Sequence, residues 1–218
     1  MVRIAYKKNA KIIMIFLISA LFLFGKTWGD VVSDDKKYLN KGIDCIRNAE
    51  YGKAIDFLTE AIRLNPKNLS AYNNRGLSHY KNGDIDLAIA DYNEAIKIDP
   101  KDDVVYSNRG AAYAAKKDFV KAITDFTAAL DINPGCAEAH YNRGTIYYRI
   151  GSLDKAIADF DKAIQIDPAY AKVYNSRAIA FFYKKEYGKS WDDVRKAQDL
   201  GYEVHPGFLE ALKRAGAK

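Results

Sequence analysis

The chain of 218 residues is short of the side chains on which most enzymes and metal proteins depend. It has three histidines, His79, His140 and His205, and no H-E-x-x-H or similar metal-ligand spacing. It has two cysteines, Cys45 and Cys136, 91 positions apart, too few for a disulfide framework and without a nearby base signature. Cys45 is expected to be a small buried side chain and Cys136 a loop thiol. Acidic residues are plentiful, but they recur in register on helix surfaces, as solvated faces do. No metal, no cofactor and no catalytic residue are expected. Proline is scarce as well, at five residues, and four of the five keep a regular beat: Pro66, Pro100, Pro134 and Pro168.

Basic charge is also thinner than the formal net of +6 suggests. Residues 1–29 hold Arg3, Lys7, Lys8, Lys11 and Lys26 and no acid, which leaves 29 basic against 28 acidic residues over 30–218. A nearly neutral body excludes basicity as an argument for nucleic acid, which is not an expected partner. After the early charges, Ile12–Phe24 is an apolar run of 13 residues. As a helix it would span roughly 20 Å, short of the roughly 30 Å hydrocarbon core. Residues 1–29 therefore read as a signal peptide ending near Asp30, with an N-terminal membrane anchor as the alternative. Either way the remainder is expected outside the cytoplasm, periplasmic, secreted or membrane-anchored, touching a membrane only through this segment. Ala20–Thr27, ALFLFGKT, approaches a phosphate-binding loop, but its variable positions are Leu-Phe-Leu-Phe and Ala20 replaces the first glycine. The match is read as chance.

What the chain has in abundance is self-similarity. The stretch AEAHYNRGTIYYRIGSLDKAIADFDKAIQIDPAY, Ala137–Tyr170, recurs every 34 residues. Five copies follow: 35–68, 69–102, 103–136, 137–170 and 171–204. Such a period means stacked supersecondary units. Each copy splits into two amphipathic helices around a short turn. Asp84, Asp118 and Ser152 stand where the second helix begins and are expected to cap it. The Asp/Asn-Pro pair ends that helix, since proline lacks the N–H it would need and restricts the residue before it.

Numbered within the repeat from Asp35, position 8 holds Gly42, Gly76, Gly110, Gly144 and Ala178. Position 20 holds Ala54, Ala88, Ala122, Ala156 and Ser190. Position 27 holds Ala61, Ala95, Ala129, Ala163 and Ala197. Position 4 is aromatic or His140, and position 24 carries Leu58, Tyr92, Phe126, Phe160 and Val194. On these residues the chain resembles the tetratricopeptide repeat (TPR) family. The resemblance implies an all-α, right-handed superhelical solenoid of helix-turn-helix repeats. The fifth copy is the weakest, and 205–218, with Phe208, Leu209 and Leu212 on one face, is expected to form a C-terminal capping helix.

Position 7 holds Arg75, Arg109, Arg143 and Arg177, and position 23 holds Asp91, Asp125, Asp159 and Asp193. The first repeat lacks both. These are expected to form structural ion pairs within each repeat, because charges near a core are usually paired. The resemblance further implies a non-enzymatic interaction scaffold that binds a peptide or protein segment in a concave groove. In the family that groove is lined by positions 2, 5, 9, 12 and 13 of the first helix. The expected contacts are Lys36, Leu39, Ile43, Asn73, Leu77, Tyr80, Lys81, Ala111, Tyr141, Tyr148, Arg149, Lys172 and Phe182, with Tyr183 at position 13 of the fifth copy. Asn74, Asn108 and Asn142, at position 6, are candidates to bond a ligand backbone. A shallow depression is expected between Tyr80 and Tyr148. The face leans basic, so an acidic partner segment would suit it. The Lys and Asn of the family's chaperone-tail clamp, at positions 5 and 9, are missing. Asn68-Leu69-Ser70 has the form of a glycosylation sequon but reads as an inter-repeat turn.

Overall fold

Thirty-four residues are enough for two helices of three to four turns and two tight connections, and each period of this chain folds that way. The computed structural model describes residues 28–216. The expected leader or anchor, 1–29, therefore lies outside the described residues except for its last two. The chain divides into two compact units, Met1–Asn82 and Gly83–Lys218, and the division falls between the two helices of the second repeat.

The first unit contains α1 (Trp28–Arg47), α2 (Tyr51–Leu64) and α3 (Leu69–Asn82). α1 starts well before Asp35, because Asp30–Lys37 holds neither glycine nor proline to stop it. Ala54, Leu58, Ala61 and Ala71 form its core. Helix approach here depends on a missing side chain: a Cβ on Gly42 would lie 2.5 Å from Leu58 Cγ. Asn68 joins the elements. Its Oδ1 accepts from the Ala71 N–H at 3.0 Å, capping α3, and its Nδ2 donates to Asp35 Oδ2 at 3.2 Å. That is the structural role of the sequon-like Asn68.

The second unit contains α4 (Ile85–Ile98), α5 (Asp103–Ala115), α6 (Phe119–Ile132), α7 (Ala137–Arg149), α8 (Leu153–Ile166), α9 (Ala171–Tyr183), α10 (Tyr187–Asp199) and α11 (Pro206–Gly216). Each packs on its neighbour in chain order. No strand occurs among the described residues. Within each unit the fold is an all-α stack of helical hairpins. The residues at positions 20, 24 and 27 are all essentially inaccessible, from Ala54, Leu58 and Ala61 to Ser190, Val194 and Ala197. α11 closes the stack: Leu212 is fully buried with Tyr174, Val194 and Ala197, while Glu210, Lys213 and Arg214 face water.

Every first helix ends in the same way. Position 15 is left-handed in all five repeats, at Ala49, Gly83, Lys117, Gly151 and Lys185, with φ between 58° and 94°. The next N–H then reaches back five residues, as in Asp118 to Tyr113 O at 2.9 Å and Ser152 to Tyr147 O at 2.9 Å. This turn changes the expected capping. Of the three anticipated caps only Asp118 accepts a backbone N–H, from Lys121; Asp84 and Ser152 make no side-chain cap bond. Residues leaving that turn have ψ near 60–75°, off the extended geometry a cap prefers. Asp102, ahead of α5, does cap, accepting from the Val105 N–H at 3.0 Å. Both cysteines are free and half-buried, so Cys45 is less enclosed than expected; Cys136 stands at the N-cap of α7.

Candidate binding surface

The position-7 arginines serve the scaffold. Arg109 donates from Nε and Nη2 to both oxygens of Asp125, each at 2.7 Å. Arg143 does the same to Asp159 at 2.8 and 2.8 Å, and Arg177 to Asp193 at 2.8 and 2.7 Å. The remaining Nη1 crosses to position 25 of the preceding repeat: Asn93 for Arg109, Thr127 for Arg143 and Asp161 for Arg177. In the first unit Arg75 reaches Thr59 at 3.1 Å. Arg75 and Asp91 belong to different units. Each arginine in the second unit thus fastens three helices with a two-pronged fork that lysine could not supply. The carboxylate bonds raise Arg109 and Arg143 above the ordinary guanidinium range, against burial. Burial opposes the charge on Arg177, but Asp193 and Asp161 outweigh it. In the first repeat, Lys41 lies 5.3 Å from the Phe57 ring centroid, where the third, fourth and fifth repeats have the Arg–Asp pair. His140 joins this network: Nδ1 is 3.0 Å from Asp159 Oδ1, and Nε2 is 3.3 Å from Pro134 O. These side chains are not free to receive an anion.

The expected groove positions divide. Lys36, Lys81, Arg149 and Lys172 are exposed; Ile43, Asn73, Leu77, Tyr80, Asn108 and Asn142 are half-buried. Leu39 and Ala111 pack against the cores beneath them. Asn74 spends its amide on its own helix, donating to Ser70 O at 2.8 Å. Two expectations need correction. Tyr141 is only 8% exposed, its ring 6.0 Å from Phe160 and 5.4 Å from Tyr170. Phe182 turns into the cap, with its ring 5.7 Å from Tyr187 and 5.6 Å from Phe208. Both rings had a neighbouring apolar surface to cover, and burying an aromatic ring outweighs presenting it to water. Tyr80 lies in the first unit and Tyr148 in the second.

Among the first-helix residues of the second unit, Tyr148, Arg149 and Tyr183 line a depression of about 320 Å³ together with Gly151 and Leu153. The Tyr148 and Tyr183 rings are 5.9 Å apart, tilted at 53°. Tyr183 is 61% exposed, so it presents the ring that Phe182 was expected to present. Burial and the adjacent Tyr183 push the Tyr148 phenol up to about 12, so Tyr148 stays a neutral hydroxyl-bearing ring at physiological pH. Gly151 keeps the floor low, and its φ of 78° is one a side chain adopts with strain. Arg149 stands exposed at the rim. The chemistry on offer is an apolar seat with two hydroxyls and one cation.

A sequence profile described as Tetratricopeptide repeat matches residues 70–102, 104–136 and 137–170, and one described as TPR repeat matches 49–83. No curated protein matches the chain in sequence. Among solved structures it is similar to MamA 41-end from Desulfovibrio magneticus RS-1, with TM-score 0.70 and 22% identity over 77% of this chain and 95% of that one. PilF of Pseudomonas aeruginosa gives 0.74 and 16% over 80% and 79%. YrrB, described as a TPR protein with an unusual peptide-binding site, gives 0.63 and 19% over 80% and 92%. At these identities the likeness is one of fold.

Proposed function

The chain belongs to the tetratricopeptide repeat family, and from that premise we propose that it is a non-catalytic scaffold holding an extended or helical peptide segment of a partner protein against the first helices of its repeats. The observation that carries this reading is the Tyr148–Tyr183 depression. An exposed aromatic ring set against a half-buried one, beside a glycine, is the kind of anchor site that dominates peptide and protein recognition. The peptide-binding site named for YrrB supports it by analogy of fold. Arg149 at the rim, and exposed Lys172 on the next first helix, favour a segment with an acidic residue near its apolar anchor. Export to the cell envelope belongs to the same proposal, motivated by the basic start and apolar run of residues 1–29.

The test is a crosslinking pull-down with the full chain from its native envelope fraction, beside Tyr148→Ala/Tyr183→Ala at matched helicity. Capture by the wild type and loss by the variant is the expected result. A partner retained by both would move the binding surface elsewhere, and recovery of the chain from the cytosolic fraction alone would overturn export.

A further inference from the structure

Along the edge of the second unit where first helices turn into second helices, position 14 of one repeat meets position 18 of the repeat before it. At one level this contact is an ion pair between Lys116 Nζ and Asp86 Oδ1. Two repeats later it is Lys184 Nζ on Asp154 Oδ1 at 2.6 Å, with Glu186 also 3.1 Å from the ammonium. At the level between them the same register holds Ile150 and Val120. Both are large, apolar and open to water, 46% and 78% exposed. A surface rule that pairs charge with charge is broken once, in the middle, by two aliphatic side chains. None of these six residues lies in the depression proposed to bind a peptide.

Read along the edge, the row is Asp86, Lys116, Val120, Ile150, Asp154, Lys184: acid, base, apolar, apolar, acid, base. Reversed, each acid falls on a base and each base on an acid, while the apolar pair falls on itself. The row is therefore complementary to its own antiparallel image. A copy laid on it in parallel would set Asp86 on Asp86 and Lys116 on Lys116. Only a two-fold arrangement matches, and two-fold contacts are the commonest way a chain meets itself.

We propose that this edge is an isologous interface for a second copy of the chain, with Val120 and Ile150 at its centre and Asp86–Lys184 and Lys116–Asp154 contacts between copies on either side. The exposed carboxylates of Asp86 and Asp154 have oxygen lone pairs to spare beyond their own lysine, so the pairs within a chain need not break for those between chains to form. Six side chains cover less than the ~800 Å² per partner of a stable interface. The association is accordingly weak, concentration-dependent and weakened by salt.

Sedimentation velocity over a concentration series reads it directly, on the purified full chain in mild detergent. The wild type should move from monomer toward dimer as concentration rises. Asp86→Lys/Lys116→Asp keeps its own ion pair but sets like charges against each other between copies, and should raise the dissociation constant about tenfold or more. Asp154→Lys/Lys184→Asp should do the same from the other end. Mixing the two variants restores every match and should restore the dimer, with helicity unchanged throughout and only the second variant melting slightly lower through the lost Lys184–Glu186 pair. A wild type that stays monomeric overturns the proposal. So does association indifferent to both swaps, as contact through the apolar run at Ile12–Phe24 would be, and so does a mixture no better than either variant alone.

Discussion

Gly144 should not tolerate even a methyl group. A Cβ there would stand 2.9 Å from Phe160 Cε1 and 3.1 Å from Asp159 Cβ. Neither neighbour can yield cheaply: Phe160 is 1% exposed in a packed core, and Asp159 is held by Arg143 and His140. In a solvated helix Gly→Ala gains about 0.5–1 kcal/mol. Overpacking a core costs about 1–3 kcal/mol, and pinned neighbours put this case toward the upper end. Gly144→Ala should therefore lose about 1–2 kcal/mol net by that arithmetic. The fifth repeat shows how the conflict is relieved, since Ala178 and Val194 occupy the same two positions, both fully buried. Phe160→Val alone should cost about 2 kcal/mol through the space it leaves. Gly144→Ala/Phe160→Val should cost less than the two singles together, by about 1 kcal/mol. Urea unfolding followed by circular dichroism measures the totals. Hydrogen exchange of the α7 and α8 amides measures the local term, needed because repeat stacks can open piecewise. A stabilising Gly144→Ala, or strictly additive singles, would refute the close-approach argument.

Arg109→Ala should lower stability by about 3–5 kcal/mol by leaving Asp125 buried and unpaired, and Arg109→Lys should recover little of it; thermal melting checks this, and an unchanged melting temperature would mean the arginine row is not structural. Asp102→Ala should cost about 1 kcal/mol through the lost cap of α5, while Cys136→Asp, at the uncapped equivalent before α7, should gain a similar amount in urea titrations. Lys117→Gly should stabilise by about 1 kcal/mol, because Lys117 holds φ at 62° where glycine has no penalty; a loss would show that the lysine makes a compensating contact.

The recurrence of small residues at positions 8, 20 and 27 made the fold legible. Each side chain there is short because a helix lies against it, and every alanine at 20 and 27 proved fully buried. Helix faces are less legible where the choice is between inward and outward rotation. Phe182 and Tyr183 are adjacent, both aromatic, and both at groove-lining positions. Only the arrival of α11, with Phe208 against Phe182, decides that Tyr183 is the one left open. Tyr141 was hidden for the same reason: Tyr170, 29 residues on, covers it. The arginine row was half legible. Its position-23 partners are all aspartates and stand out, whereas Thr59, Asn93, Thr127 and Asp161 at position 25 share only the ability to accept a bond. A consensus records identity, and these contacts conserve a hydrogen-bonding role across different residue types.

The reverse inference applies at the surface. Packing explains what recurs in a repeat chain, so a residue that breaks its register without a packing reason needs another cause. Ala178 and Val194 break register together and compensate each other inside the core. Ile150 and Val120 also break register together, but in water, where both stay largely exposed. A paired departure in the core is repacking; a paired departure on an exposed edge, flanked by charges of matching order, needs a covering surface from outside the unit. That distinction is why the edge from Asp86 to Lys184, rather than the buried arginine row that first draws the eye, is where the second unit is expected to meet another molecule of its own kind.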